Sequence, residues 1–120
     1  MIKKTLVIGA SENPNRYSNK AIKKLTFYGH PVLAIGNKEG EVSGIKFSTE
    51  KVKFGDIDTI TLYLNVNNQK SYYDYILELK PKRVLFNPGT ENTELQNLLS
   101  KNNIAFEEAC TLVLLSIGQY

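Results

Sequence analysis

Lys4-Thr5-Leu6-Val7-Ile8-Gly9 is a short apolar and β-branched run halted by a glycine, the pattern of a strand buried on both faces of a parallel sheet. Downstream of it, Asn19 to Tyr28 places Ala21, Ile22, Leu25 and Tyr28 at helical spacing. Ser18 stands where an N-cap belongs, Gly29 where a C′ residue belongs, and Pro31 lies just beyond. Val32-Leu33-Ala34-Ile35 then repeats the first pattern and stops at Gly36. Strand, helix and strand within some thirty residues form a crossover unit, and the two strands of such a unit lie parallel.

The alternation continues along the chain. Asn37 to Gly55 is rich in Gly, Ser, Lys and Glu and reads as a surface connection with a brief extended piece at Ile45-Lys46-Phe47. Thr59 to Leu64 is the third strand by its β-branched content. Gln69 to Leu79 carries Tyr72, Tyr73, Ile76 and Leu79 on one helical face and ends before Pro81. Arg83 to Phe86 is the fourth strand, and Thr93 to Lys101 a helix burying Leu95, Leu98 and Leu99, with Thr93 to Gln96 matching a capping box. Ile104 to Glu107 reads as an edge strand and Thr111 to Ile117 as a short packed helix. The expected architecture is α/β: a three-layer Rossmann-type fold with a five-stranded parallel sheet in the order 3-2-1-4-5, spanning residues 1–120 as one domain.

Composition narrows the function classes. The chain has 120 residues, 42% hydrophobic and 22% charged, ordinary values for a globular protein. Its net charge is +3, from 15 basic and 12 acidic residues spread without a like-charged block, which gives no indication of nucleic-acid binding. The apolar run Leu112 to Leu115 is far shorter than the ~20 residues a membrane helix needs. The first residues, Met1-Ile2-Lys3-Lys4, lead into a strand and not into a signal-peptide core, so no membrane role and a cytoplasmic location are expected. The single cysteine, Cys110, makes neither an internal disulfide nor a cysteine-rich metal site, and no metal is expected.

In an open parallel sheet the ligand crevice lies beyond the carboxyl ends of the strands. The segment from Gly9 to Ser18 is the most informative part of that rim. Gly9 permits close backbone approach, Ala10 and Ser11 keep the turn small, and the following helix directs free N–H groups and the positive end of its dipole into the crevice. Such a helix start binds anions, and Arg16 adds bidentate phosphate contacts. After Gly9 there is no glycine until Gly29, so the G-x-G-x-x-G dinucleotide fingerprint is absent. The second strand ends Gly36-Asn37-Lys38, with no acidic residue for an NAD ribose. Lys38 suits a phosphorylated ribose instead, as in coenzyme A with its 3′-phosphate or NADP with its 2′-phosphate.

Several of these residues together carry a family resemblance: Val7-Ile8-Gly9-Ala10-Ser11, Asn13-Pro14 with Arg16-Tyr17-Ser18, the small residues after the second strand, Pro88-Gly89, and Glu108-Ala109-Cys110-Thr111. Over nearly its whole length the chain resembles the small CoA-binding domain proteins, and through them the N-terminal CoA-binding domain of the succinyl-CoA synthetase α-subunit. The resemblance implies coenzyme A, or an acyl-CoA, lying across the strand ends. Its phosphates would meet Gly9, Ala10, Ser11, Arg16 and Ser18 in the loop that also holds Asn13, Pro14 and Tyr17. Asn37 and Lys38 would face the adenosine phosphate; Tyr63, Leu64 and Asn65 would flank the adenosine or the start of the pantetheine arm; Pro88, Gly89 and Thr90 would line the route of that arm. The sequence departs from the family where Asn37 is followed by Lys38 in place of proline. It also lacks the further domain that holds the phosphorylated histidine of the synthetase.

No catalytic constellation is apparent. Glu12, Glu91, Glu107, Glu108 and Cys110 lie at strand ends, but no histidine accompanies them, and His30 falls at the opposite end of the sheet. The expectation is therefore a non-catalytic module that binds CoA, with a protein partner or a second copy of the chain left open. Two other readings stay open: an NADP-type oxidoreductase with a degenerate fingerprint, and a protein-interaction domain with a vestigial site, to which Tyr72, Tyr73 and Tyr75 would contribute.

Overall fold

The computed structural model describes residues 2–120. Strands β1 (Thr5–Ala10), β2 (Val32–Gly36), β5 (Thr59–Leu62), β6 (Arg83–Phe86) and β7 (Ala105–Glu108) form one sheet in the order β2-β1-β5-β6-β7, every neighbouring pair parallel. A separate antiparallel hairpin consists of β3 (Gly40–Val42) and β4 (Ile45–Phe47). The α/β class and the five-stranded parallel sheet are as expected.

The strand order is not. Numbered among themselves, the five strands run 2-1-3-4-5 and not 3-2-1-4-5. The cause lies in the stretch expected to be mainly surface connection. The hairpin returns along the outer edge of β2, where Ser48 bridges Ile35 in parallel and the Gly36 N–H donates to the Ser48 carbonyl at 3.0 Å. That contact fills the position beyond β2 which the next full strand would have taken. The chain then crosses back and adds β5 to the other side of β1.

Alternate residues of the strands serve opposite faces. Leu6, Ile8, Ile60, Leu62, Val84 and Phe86 point to one face. There they meet Ile76 of α3 (Tyr73–Leu79) and Leu95 and Leu99 of α4 (Thr93–Lys101). Val7, Val32 and Ala34 point to the other, against Ile22 and Leu25 of α1 (Tyr17–Phe27) and Leu115 of α5 (Thr111–Ser116). Each such fully buried aliphatic side chain contributes about 1.5–3 kcal/mol relative to exposure. This second face is partly polar under β5 and β6. Thr61, Asn87 and Thr111 are buried there, and Asn87 Nδ2 donates to Thr61 Oγ1 at 2.7 Å and to the Leu62 carbonyl at 2.9 Å. The Thr111 N–H donates to Asn87 Oδ1 at 2.8 Å, tying the start of α5 to the strand ends.

Three helix starts differ from expectation. Arg16, not Ser18, occupies the N-cap position of α1 with extended dihedrals, because Asn13 turns the chain early. Its Oδ1 accepts from the Asn15 N–H and its carbonyl from the Arg16 N–H, each at 3.0 Å. Ser18 is buried in the first turn. At the other end Gly29 (φ +83°) closes the helix as expected, with its N–H to the Thr26 carbonyl and the His30 N–H to the Leu25 carbonyl. The expected helix over Gln69 to Leu79 begins earlier and is broken: α2 (Val66–Gln69), capped by the Asn65 side chain, runs through a 3₁₀ turn (Lys70–Tyr72) into α3. Asn92, not Thr93, caps α4, its Oδ1 accepting from the Leu95 N–H.

The tyrosines of the broken helix are largely engaged within the fold. Tyr75 is buried with its hydroxyl donating to the Val52 carbonyl, Tyr72 packs edge-on to it, and the Tyr73 hydroxyl reaches Glu94. No helix among the described residues is long and apolar enough to cross a membrane.

Candidate functional site

A cleft of about 750 Å³ opens at the carboxyl ends of β1, β2, β5 and β6. The β1 strand delivers its floor. Gly9 sits in a register irregularity between Ile8 and Ala10 with φ +102°, a conformation that L side chains rarely adopt. A Cβ there would lie 3.0 Å from the Tyr63 carbonyl carbon, so glycine also lets β5 approach. Gly36 is constrained in the same way from the other side: a Cβ would meet the Ala10 carbonyl oxygen at 2.7 Å. Two glycines thus let three neighbouring strand ends close up beneath the cleft.

The loop after β1 is fixed by its own polar groups. The Asn13 N–H donates to Ser11 Oγ at 3.1 Å, and Asn19 Nδ2, from within α1, donates to the Ser11 carbonyl at 3.0 Å. Glu12 Oε2 accepts from the Glu41 N–H at 2.9 Å and joins the loop to the β3–β4 hairpin. Ser11, Arg16, Tyr17 and Ser18 line the cleft, which places the first turn of α1 on its wall. Among the described residues no side chain caps that turn, and it contains no acidic residue. Of the side chains lining the cleft, Arg16 alone is charged. The result is a set of free N–H groups, a positive dipole end and one guanidinium facing the same space.

The opposite wall comes from β5 and the broken helix. Tyr63, Leu64 and Asn65 line it, as do Asn68, Ser71 and Tyr72. Burial pushes the Tyr63 phenol up to about 12, and its hydroxyl lies near Thr61 and Thr111 without a bond of good geometry. Gln69 is fully buried between the two loops of this wall. Its Nε2 donates to the Leu64 carbonyl at 2.9 Å and the Thr90 carbonyl at 2.8 Å, while its Oε1 accepts from Asn92 Nδ2 at 2.9 Å. Pro88, Gly89 and Thr90 complete the lining beyond β6, and Thr90 Oγ1 is held by the Asn87 carbonyl at 2.8 Å.

Thirteen of the sixteen residues expected at a site therefore face one cleft: Gly9, Ala10, Ser11, Arg16, Tyr17, Ser18, Asn37, Tyr63, Leu64, Asn65, Pro88, Gly89 and Thr90. Asn13 and Pro14 stand outside it and shape the turn before α1; Lys38 is exposed and outside it as well. Gly36, at the end of the second strand, lines the cleft too, and Asn68, Ser71 and Tyr72 line it without having been expected there. Asn65 carried the signal for two of them. As an N-cap it starts a helix at Val66, and Asn68 and Ser71 then share one helical face.

Three of the four strand-end acids are otherwise occupied, and Glu107 is exposed and does not line the cleft. Glu12 is bonded to Glu41, Glu91 Oε1 accepts from the Gly89 N–H at 3.0 Å, and Glu108 Oε2 accepts from Gln96 at 2.9 Å. Cys110 is half-buried in the N-cap position of α5 and does not line the cleft. His30 sits at the opposite end of the sheet, its Nδ1 accepting from the Lys3 N–H at 3.0 Å.

The model of a family described as "CoA binding domain" matches residues 3–116. A crystal structure of an uncharacterized protein is similar over 100% of this chain and 99% of its own, with 49% identity and a TM-score of 0.97. A conserved hypothetical protein from Pyrococcus furiosus is 26% identical over 93% of this chain and 98% of its own, with a TM-score of 0.82. A hypothetical protein from Pyrococcus horikoshii OT3 shares the fold at 24% identity and a TM-score of 0.84, over 93% of this chain and 80% of its own. No curated protein matches.

Proposed function

The chain belongs to the CoA-binding domain family, and from that premise we propose that it binds coenzyme A or an acyl-CoA across the strand ends and performs no chemistry on it. The observation that carries this reading is the first turn of α1, which opens into the cleft uncapped, free of acid and beside Arg16. A diphosphate supplies the acceptors and the negative charge which that turn lacks. The small backbone of Gly9, Ala10 and Ser11 leaves it room.

A role in binding without catalysis is supported by the surroundings. Glu12, Glu91 and Glu108 are bonded to backbone or amide groups, Glu107 lies outside the cleft, and the neutral phenol of Tyr63 holds its proton far above neutral pH. General acid–base catalysis works best with a group that titrates near the operating pH. The cleft instead offers amides, hydroxyls and one guanidinium, groups that hold and orient a ligand.

Mass spectrometry of the purified protein tests the reading, recorded first under native conditions and then after denaturation. The expected result is a bound species in the native spectrum that is released on denaturation with the mass of CoA or an acyl-CoA. Release of NADP instead would favour an oxidoreductase-like module. A chain that carries nothing and takes up no added CoA would leave a protein-interaction role.

A further inference from the structure

Lys38 stands two residues beyond β2, yet it lies outside the cleft. Another lysine approaches the cleft from a segment that read as surface connection. The parallel bridge between Ile35 and Ser48 carries the chain past the end of β2, and three residues later Lys51 crosses to the far wall. Its Nζ donates to the Ser71 carbonyl at 2.6 Å and stands 4.6 Å from the centre of the Tyr72 ring. Ser71 and Tyr72 both line the cleft. From these contacts, and resting on the CoA reading above, we infer that Lys51 binds the 3′-phosphate of the coenzyme and so separates CoA from dephospho-CoA.

The chemistry favours this role on three counts. An ammonium has three donors, of which the Ser71 carbonyl takes one and the Tyr72 ring attracts the charge without accepting a full bond, so donors remain for a ligand. Among the described residues the ion pairs are Lys53 with Glu78 and Lys82 with Asp58, and neither neutralises Lys51. The carbonyl and the ring also hold the long side chain in place, which lowers the entropy lost on binding. Position agrees with charge. In dinucleotide-binding sheets the group at the end of the second strand meets the substituents of the adenosine ribose, and Ser48 starts this segment at that place, three residues before Lys51. Arg16 and the α1 turn lie on the other face of the sheet, so the diphosphate and the ribose phosphate have separate cations.

Calorimetric titration of CoA and dephospho-CoA into the wild type, K51Q, K51R and K38Q decides the matter. K51Q is expected to weaken CoA about tenfold, the size of one charge-assisted contact, and to change dephospho-CoA less than twofold (about the scatter between neighbouring variants). K51R is expected to keep most of the CoA affinity. Equal loss of both ligands in K51Q would show that Lys51 only braces the Ser71–Tyr72 wall and would overturn the inference. An unchanged K51Q, or selective loss in K38Q alone, would overturn it too. If the wild type binds neither ligand, the CoA reading itself fails, a result distinct from every outcome in which the wild type binds and the variants decide.

Discussion

Gly9 is wedged against Tyr63: a Cβ at position 9 would stand 3.0 Å from the Tyr63 carbonyl carbon and 3.1 Å from its Cβ. The same residue has φ +102°, so alanine there would meet both a crowded neighbour and an unfavourable backbone. Gly89 provides the control, since its φ is +91° but a methyl group at that position would have nothing within 4 Å. Urea unfolding should show Gly9→Ala destabilised by about 3 kcal/mol and Gly89→Ala by about 1 kcal/mol. Equal losses would mean that the contact with Tyr63 relaxes at no cost.

The Gln69 amide joins the loops after β5 and β6. Gln69→Leu keeps the volume but leaves the Leu64 and Thr90 carbonyls and Asn92 Nδ2 short of partners in a buried place. The expected loss is about 3 kcal/mol in urea unfolding, as several stranded polar groups require. A loss under about 1 kcal/mol would show that these groups find other partners.

Tyr17 is 66% exposed at the first position of α1. Tyr17→Glu puts a carboxylate beside free N–H groups and three residues before Lys20, which should raise thermal stability slightly. The same charge faces the proposed diphosphate and should weaken CoA at least tenfold, about the effect of one lost charge-assisted contact. Opposite signs for stability and affinity separate an anion site from a merely structural helix start; a variant that gains stability and binds CoA normally would contradict the site.

Arg16→Ala should weaken CoA and dephospho-CoA by the same factor, about tenfold, because its guanidinium lines the cleft where the proposed diphosphate, shared by both ligands, would lie. A selective loss of CoA would assign Arg16 to the ribose phosphate instead.

His30 gives the fold a pH dependence far from the cleft. Burial, aided by the nearby charge of Lys3 and Arg83, lowers its pKa below the ordinary 6.5. The folded chain therefore binds fewer protons than the unfolded chain as pH falls through that value, so the stabilisation it provides is complete above about 6.5 and declines below it. Thermal melts should show the advantage of wild type over His30→Gln shrinking from pH 7.5 to pH 5 (a window set about the ordinary histidine value). An advantage that grows on acidification would contradict the lowered pKa.

Much of the fold was legible because buried strands announce themselves. Thr5 to Ile8, Val32 to Ile35 and Arg83 to Phe86 have few other readings, and Gly29 closes α1 as its position suggests. The strand order was not legible, because it depends on Ser48 bridging Ile35, a single long-range contact in a polar stretch without periodicity. The first turn of α1 starts two residues before the position that Ser18 suggests, because Asn13 makes the turn through its own side chain, a local bond that competes with Ser18 as a cap. Most of the cleft followed from one rule about strand ends, applied to small residues at Gly9 to Ser11 and Pro88 to Thr90. Ser71, Tyr72 and Lys51 escaped that rule because a 3₁₀ turn and a cation packed on a ring place them, and neither has a sequence period.

The most direct test of the central claim is calorimetric titration of the wild-type chain with CoA, NADP and NAD under identical conditions. Saturable binding of CoA is expected, with much weaker or undetectable binding of both nicotinamide coenzymes. Saturable binding of NADP without binding of CoA would contradict the claim.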